Sequence, residues 1–264
     1  MRIGLIVVGD EILSGKRQDK HLAATIERLT ARGMGLAWAR YIGDDREAQT
    51  AVLREAFASG DLVFSCGGIG ATPDDHSRQA AAAALGRPLV LHPEARALIW
   101  QRIQEMAAEQ GATADEQSPD TQRRFQMGEF PAGAGLIPNP YNRIPGFFVG
   151  DVHFVPGFPV MAHPMMEWVL DTRYPQLRRA RTVQERSVIL PGALEGTLTP
   201  LMLRLEAEFP GIKVFSLPSV DHPQWGRHVE LGVKGDAGLL DAAFAAMKAG
   251  LVQLGASIGT EMVR

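Results

Sequence analysis

The sequence predicts an α/β protein built on parallel strands, followed by a second, smaller domain of the α+β class. Its 264 residues exceed the usual size of one domain. With 45% hydrophobic and 22% charged residues, its composition is that of an ordinary globular protein. In the first 70 residues, apolar runs rich in β-branched side chains alternate with amphipathic segments of helical period. We place the first domain at residues 1–175 and the second at residues 176–264.

Strands and helices alternate in the first part of the chain. The patterns predict strands at residues 2–8, 36–42 and 61–66, with helices between them that end near Gly33 and Gly60. Connections that contain a helix join parallel strands by right-handed crossovers, and they place the helices on the faces of the sheet. The core of this domain is therefore predicted to be α/β.

A glycine-rich loop at residues 67–75 follows the third predicted strand, and an alanine-rich helix follows the loop. Residues 132–159 have the pattern of strands and turns. Their connections are too short for a crossover helix, so we expect antiparallel pairs there. The helices predicted in this part of the chain cover residues 76–85, 93–110 and 160–170, with a shorter one that begins at Ser118-Pro119.

The second domain has the pattern strand, helix, strand, strand, helix. A basic stretch at residues 173–186 precedes it and is interpreted as an exposed linker. Modules of this type include RNA-binding domains, but no Gly-x-x-Gly loop lies between Leu190 and Phe209, so nucleic acid is not expected as a partner. Apolar strand faces without an acidic or glycine-rich site indicate a homo-oligomer instead, with a dimer favoured. The predicted elements are residues 183–190, 198–209, 212–217, 228–233 and 239–254.

The charge and the cysteine content limit which partners the protein is expected to bind and in which compartment it is expected to lie. The formal net charge of −3 offers no attraction to nucleic acid or to an anionic membrane surface. No apolar run approaches the length of a membrane span, and the amino terminus lacks the features of a signal peptide. The single cysteine, Cys66, excludes an internal disulfide. We therefore expect a cytoplasmic protein that binds a small molecule and no membrane.

Three acidic loops are predicted to meet at one edge of the sheet. They contain Glu11, Asp44, and the pair Asp74 and Asp75, and each follows one of the first three strands. Parallel strands all end at the same edge, where the ligands of open α/β sheets bind. The glycines of the third loop would let main-chain N–H groups approach a phosphate. Carboxylates beside a phosphate need a cation between them, so we predict a divalent metal, with Mg²⁺ favoured for its preference for oxygen ligands.

Each of these carboxylates also has a structural alternative. Asp44 with Glu47 three residues later matches a capping box, which would occupy Asp44 as a helix cap. Asp74 or Asp75 could cap the alanine-rich helix, and Glu11 could be a solvated loop residue. The histidines lack zinc-binding spacing and no Gly-x-Ser-x-Gly motif is present. Zinc chemistry and covalent catalysis by serine are therefore not expected.

Five motifs occur in an order that is typical of one family. Residues 3–170 resemble the molybdopterin-binding domain of the MoaB and MogA type, and more closely the amino-terminal part of the CinA (competence/damage-inducible) proteins. Five ordered motifs are far more specific than one glycine loop. The motifs are Gly9-Asp10-Glu11-Ile12-Leu13-Ser14-Gly15, Gly43-Asp44-Asp45, Gly67-Gly68-Ile69-Gly70-Ala71-Thr72-Pro73-Asp74-Asp75, Pro138-Asn139-Pro140 with Pro145-Gly146-Phe147, and Pro156-Gly157-Phe158-Pro159.

The resemblance implies a three-layer α/β/α domain with a mostly parallel sheet. In MogA-like enzymes, carboxylates at the positions of Asp44 and Asp75 support nucleotidyl transfer onto molybdopterin, so the resemblance implies a catalytic role for both. In CinA-like proteins the similar pocket is linked to metal-dependent hydrolysis of ADP-ribose-type pyrophosphates. A small β-α-β-β-α module follows there, similar to residues 180–255 here. The residues implied to bind a phosphate or pterin ligand are Gly9, Gly67, Gly68, Gly70, Thr72, Asn139, Pro156 and Gly157.

Two departures from the CinA pattern bear on activity. Ala71 stands where many CinA proteins have proline, a variant that also occurs in the amino-terminal region of eukaryotic FAD synthases, and this leaves the substrate open. Full-length CinA proteins close with a pyridine-nucleotide deamidase domain. We expect no deamidase activity from residues 1–264.

The favoured prediction is a metal-dependent hydrolase that cleaves the phosphoanhydride of a nucleotide adduct such as ADP-ribose. The loop glycines would hold the diphosphate through main-chain N–H groups, and Asp44 or Asp75 would orient the attacking water. Two alternatives stay open, namely a protein that binds molybdopterin or a nucleotide without turnover, and a nucleotidyltransferase of molybdenum cofactor synthesis. The predicted metal ligands are Glu11, Asp74 and Asp75.

Overall fold

The computed structural model describes residues 1–178 and 183–263, and the chain divides into two compact units after Arg178. Residues 179–182, in the middle of the predicted basic linker, lie outside the described residues. Arg173 already belongs to the last helix of the first unit, and Arg186 belongs to the first strand of the second. The linker predicted at residues 173–186 was therefore too long at both ends.

The predicted elements of the first unit occur in the predicted order, and the short helix α1 (Asp10–Leu13) is an additional element. Two short strands, β4 (Leu89–Leu91) and β5 (Glu129–Pro131), pair with each other and were not predicted, because three residues are too few to show a strand period. The elements are β1 (Ile3–Val8), α1 (Asp10–Leu13), α2 (His21–Thr30), β2 (Trp38–Ile42), α3 (Arg46–Ser59), β3 (Leu62–Cys66), α4 (Ser77–Leu85), β4 (Leu89–Leu91), α5 (Pro93–Glu109), α6 (Pro119–Phe125), β5 (Glu129–Pro131), β6 (Gly135–Ile137), β7 (Gly146–Val149), β8 (Val152–Val155) and α7 (Pro159–Arg173).

The central sheet has the strand order β2-β1-β3-β8-β7-β6. The first four strands are parallel, and Val7 of β1 is aligned with Tyr41 of β2 on one side and with Cys66 of β3 on the other. The last three strands are joined by antiparallel pairs, as their short connections predicted. Strands β1 and β3 are buried along their whole length, which explains their continuous apolar sequences. The predicted α/β class with a mostly parallel sheet is confirmed.

Helices cover both faces of this sheet. Leu5 and Val7 of β1 point into a core shared with α2 and α7. Ile6 and Val8 point into a second core shared with α3 and α4. Because successive side chains of a strand point to opposite faces, one strand supplies both cores, and the first unit has three layers.

The start of α6 offers a test of one local prediction. The Ser118 side chain accepts a hydrogen bond of 3.2 Å from the main-chain N–H of Thr121, as expected for a helix cap. Ser118→Ala is expected to lower the free energy of unfolding by about 1 kcal/mol, because one N–H at the helix start loses its partner. Urea denaturation measures this change. Ser118→Asp, which keeps a capping oxygen, should stay close to the parent chain, and equal losses in both variants would contradict the capping role.

The second unit contains an antiparallel sheet with the strand order β10-β11-β9-β12. Helices α8 and α9 pack on this sheet around a core that includes Leu198, Leu231 and Phe244. The predicted order of strand, helix, strand, strand, helix is confirmed, and β12 is an additional strand that pairs with β9. The elements are β9 (Val183–Pro191), α8 (Glu195–Glu208), β10 (Lys213–His222), β11 (Gly226–Asp236), α9 (Ala237–Gln253) and β12 (Glu261–Val263).

Among the described residues of both units, none of the helices combines the length and the apolar character that crossing a membrane requires.

Candidate functional site

The loops that follow β1, β2, β3 and β8 are joined by main-chain contacts at one edge of the sheet. The N–H of Gly9 donates to the carbonyl of Ile42 at 3.0 Å, and the N–H of Gly67 donates to the carbonyl of Val155 at 3.0 Å. Gly67 also lies directly on the end of β1, since an added Cβ there would be 2.5 Å from the carbonyl oxygen of Val8. The edge predicted from the parallel strand order is therefore where these loops meet.

Asp44 is bonded to the first acidic loop and does not cap α3. The main-chain N–H of Asp10 donates to Asp44 Oδ2 at 2.9 Å, and the N–H of Asp44 donates to Asp10 Oδ1 at 3.2 Å. The cap of α3 is Asp45, whose carboxylate accepts from the N–H of Ala48 at 2.7 Å. The predicted capping box with Glu47 was wrong because the helix begins one residue later than its pattern suggested. This shift leaves the Asp44 carboxylate at the sheet edge.

Several carboxylates lie close enough to Asp44 to shift its pKa. Burial is the main cause that raises the pKa of Asp44, and the hydrogen bond from the Asp10 N–H opposes it. The negative charges of Asp10, Glu11 and Asp74 raise the pKa further. Asp74 belongs to the third loop, so acidic residues of the first and third predicted loops act on this carboxyl group of the second.

Asp10→Asn is expected to lower the pKa of Asp44. The substituted amide oxygen can still accept the hydrogen bond from the Asp44 N–H, while a negative charge that disfavours ionised Asp44 is removed. Titration of the side-chain carboxyl carbons by ¹³C NMR, in the presence of a chelator, measures the shift. Asp45→Asn is the matched control, since the charge of Asp45 is not among the causes that shift Asp44. An Asp44 pKa that stays unchanged in Asp10→Asn would contradict this account.

The glycine-rich loop is held against the first residue of α4. Gly67 and Gly68 have φ angles of +106° and +69°, which favour glycine. The hydroxyl of Ser77 donates to the carbonyl of Gly67 at 3.0 Å, and its N–H donates to the carbonyl of Gly68 at 2.9 Å. A Cβ at Gly68 would collide with the Ser77 hydroxyl. Ser77 was not predicted to contribute, although a hydroxyl residue just after a glycine loop is suited to bond the main chain of that loop.

Asp75 closes a turn inside the same loop. Its Oδ2 accepts from the N–H of Thr72 at 2.9 Å and from the Thr72 hydroxyl at 2.5 Å. The alternative that Asp74 or Asp75 caps α4 was wrong, because the cap position is His76 and no side chain bonds there. Both polar donors of Thr72 are used within the loop. Gly70 allows this arrangement, since a Cβ there would crowd the Asp75 carboxylate.

A buried arginine is hydrogen-bonded to the glycine-rich loop. Arg78 is 3% exposed, and its guanidinium donates to the carbonyl of Gly70 at 2.6 Å and to the carbonyl of Gln126. Burial is the main cause that lowers its pKa, while the charges of Glu129 and Asp75 act in the opposite direction. A positive charge at this depth favours an anion on the loop it supports. The sequence did not single out Arg78, because its burial depends on a partner 48 residues away.

The turn after β8 forms the opposite side of the loop. A Cβ at Gly157 would lie 3.4 Å from the Cα of Gly67, so the Pro156-Gly157 turn packs closely against the glycine loop. The buried ring of His21 donates from Nε2 to the carbonyl of Gly157 at 3.1 Å. His21 stands at the start of α2 and was not predicted to contribute here.

The amide of Asn139 is engaged within its own turn. Its Nδ2 donates to Asn142 Oδ1 at 2.8 Å and to the carbonyl of Ile144 at 3.0 Å, and its Oδ1 accepts from the N–H of Tyr141 at 3.0 Å. Asn139 is buried and shapes the turn that leads into β7. A direct role for Asn139 in ligand binding stays a prediction.

The predicted metal ligands are not assembled into a cluster. Among residues 1–178 and 183–263, no group of three or more His, Cys, Asp or Glu side chains is placed to hold a metal ion. Glu11 lies over Gly9, since a Cβ there would be 2.6 Å from Glu11 Oε2, and Asp75 is bonded to Thr72. Mg²⁺ is commonly held by one or two carboxylates together with substrate phosphates and waters. The all-oxygen donor set therefore fits Mg²⁺ without a preformed cluster, and Glu11, Asp74 and Asp75 remain its predicted ligands.

Comparisons with known proteins identify the family. Residues 4–179 match the family described as "Probable molybdopterin binding domain". A protein from Caldivirga maquilingensis is 30% identical over 221 residues, which cover 81% of this chain and 80% of that protein. A CinA-like protein from Citrifermentans bemidjiense is 34% identical over 181 residues, which cover 67% of this chain but 41% of that protein.

The fold of the first unit also has a solved relative. The crystal structure of CinA from Thermoplasma acidophilum, a protein of unknown function, matches this chain with a TM-score of 0.55. The two sequences are 26% identical, and the match covers 65% of this chain and 98% of the CinA chain. The five motifs, the sheet order and the family match agree with one another. This chain therefore belongs to the molybdopterin-binding domain family of the MoaB and MogA type and is related to the CinA proteins.

Proposed function

We propose that this protein is a divalent-metal-dependent hydrolase that cleaves the phosphoanhydride of a nucleotide adduct of the ADP-ribose type. The observation that carries this proposal is the position of Asp44. Its carboxyl group, with a raised pKa, lies at the same sheet edge as the glycine loop, and it interacts with the charge of Asp74 in that loop. A carboxylate with a raised pKa beside a phosphate-binding loop is suited to accept a proton from water.

Some of these residues would bind the substrate or the metal, and Asp44 would orient the attacking water. Because the N–H of Gly67 donates to the carbonyl of Val155, the main-chain N–H groups of residues 68–70 would bind the diphosphate, supported by the buried charge of Arg78. Asp44 would accept a hydrogen bond from the attacking water and hold it in line with the phosphorus atom. Glu11, Asp74 and Asp75 would hold Mg²⁺, which supplies charge neutralisation on the phosphate oxygens. No covalent nucleophile is required for this chemistry.

Product analysis by ³¹P NMR tests the proposal. The purified protein is incubated separately with ADP-ribose, FAD and NAD⁺, each with Mg²⁺, with Co²⁺ and with a chelator. Metal-dependent loss of the diphosphate signal, with new phosphomonoester signals, is the expected result for at least one substrate. Signals that stay unchanged in every mixture would reject the hydrolase.

A second candidate is a protein that binds molybdopterin or a nucleotide without turning it over. The family match favours this candidate. It predicts measurable binding of the nucleotides in the chelator sample and no change in their ³¹P signals with metal. The chain spans about two fifths of the CinA-like relative from Citrifermentans bemidjiense, so activities of such a longer protein are no more than proposals here.

A further inference from the structure

Gln49 is a polar side chain at a position where α3 faces the core. It is 0% exposed, and the other buried residues of this helix are the apolar Leu53 and Ala56. A primary amide without hydrogen bonds is costly to bury, so its presence on this face calls for partners. Those partners are the carbonyl of Gly43 and the hydroxyl of Ser77, both at the candidate site.

One end of the Gln49 amide contacts the loop that carries Asp44, and the other contacts Ser77, the first residue of α4. Its Nε2 donates to the carbonyl of Gly43, the residue before Asp44, at 3.1 Å. Its Oε1 lies 3.4 Å from the hydroxyl of Ser77, whose single proton is directed to the carbonyl of Gly67 at 3.0 Å and can be shared with Oε1. One buried side chain thus connects the loop that carries Asp44 to the glycine loop.

We propose that Gln49 is a positioning residue that sets the distance between the Asp44 carboxylate and the phosphate-binding loop. This inference rests on the proposed hydrolase, because Gln49 acts through Asp44 and touches no substrate. Displacement of a reacting group by about 1 Å can cost a reaction about 10²-fold in rate. Gln49 therefore affects the rate constant of the bound complex more than the affinity for substrate.

Two substitutions at this position separate positioning from simple destabilisation. Gln49→Leu keeps the volume roughly constant and removes both the hydrogen bond to Gly43 and the polar contact with Ser77. Gln49→Glu keeps the shape, but an ionised carboxylate would face the Gly43 carbonyl, which can only accept. A protonated carboxyl group can donate to that carbonyl again. Leu53→Val, on the same buried face of α3, is the matched control, since Leu53 lies in the apolar core.

The kinetic readout is kcat for hydrolysis of ADP-ribose as a function of pH. We expect Gln49→Leu to lower kcat about 10-fold to 10²-fold with little change in KM, and Leu53→Val to leave both nearly unchanged. The kcat ratio of Gln49→Glu to the parent chain should rise as the pH falls, because protonation restores the donor. The same ratio for Gln49→Leu should stay flat. A pH-independent ratio for Gln49→Glu, or a KM effect alone, would overturn the proposal.

Amide hydrogen exchange gives a readout that does not depend on activity. In Gln49→Leu, exchange is expected to accelerate in both residues 43–45 and residues 67–72, and Leu53→Val should not accelerate either. If the parent chain hydrolyses no substrate, the proposed function fails while this exchange measurement still decides the role of Gln49. Exchange that stays unchanged in both loops, or that accelerates equally in the control, would overturn the connection between them.

Discussion

Asp44→Asn is expected to lower kcat for metal-dependent hydrolysis of ADP-ribose by about 10²-fold to 10⁴-fold, the usual contribution of a positioned general base. The amide cannot take a proton from water, but it keeps the oxygen that accepts the hydrogen bond from the Asp10 N–H. The acidic limb of the parent pH profile should report the ionisation of Asp44 in the metal-loaded protein, and this limb should disappear in the variant.

The stability of Asp44→Asn separates a catalytic loss from unfolding. A carboxyl group whose pKa is raised in the folded chain contributes stability below its unfolded pKa, and that contribution is lost as the pH rises through the folded pKa. At neutral pH, removal of the charge should leave the fold at least as stable as before.

The matched control for Asp44→Asn is Asp45→Asn. Asparagine caps helices about as well as aspartate, so this neighbour should keep both its cap on α3 and its activity. The dissociation constant for ADP-ribose in chelator, measured by calorimetry, should not rise in Asp44→Asn, because the variant removes a negative charge beside the phosphates. Full activity in Asp44→Asn, or equal loss in Asp45→Asn, would reject Asp44 as the base.

Gly67→Ala is expected to lower the free energy of unfolding by about 3 kcal/mol and to abolish detectable binding of ADP-ribose. The residue has a φ of +106°, and an added Cβ would lie 2.5 Å from the carbonyl oxygen of Val8 at the end of β1. Backbone atoms at a strand end cannot move away cheaply, so the loop must shift instead. The N–H groups of residues 68–70 would then leave the positions proposed for binding a phosphate.

Gly86→Ala is the control for the backbone conformation alone. Gly86 ends α4 with a φ of +62°, and an added Cβ there would meet nothing within 4 Å. Its expected cost is about 1 kcal/mol, with binding of ADP-ribose unchanged. Urea denaturation and calorimetric titration compare the two variants. Similar losses of stability in both would show that the approach to Val8 is unimportant, and retained binding in Gly67→Ala would show that the loop does not hold the ligand.

This fold could be predicted because its main signals are local in the sequence. The buried strands β1 and β3 are continuous apolar runs, and the glycines that end α3 and α4 take left-handed conformations. Such signals lie within a few neighbouring residues, so pattern and turn chemistry reveal them. The glycine loop and the acidic loops were placed at one edge because parallel strands end together. Short strands such as β4 were missed because they are too short to show a period.

Only the tertiary structure decided which polar groups are used. The capping pattern suited Asp44, but the chain enters α3 one residue later, and Asp44 instead bonds Asp10, 34 positions earlier. Arg78 and Gln49 became parts of the site through carbonyl partners that other loops bring to them. The sequence alone determined the layers, the glycine loop and the acidic edge, because these follow from local periodicity and turns. The pairing of buried polar groups was decided by the packed chain, since each must find partners wherever the fold places them.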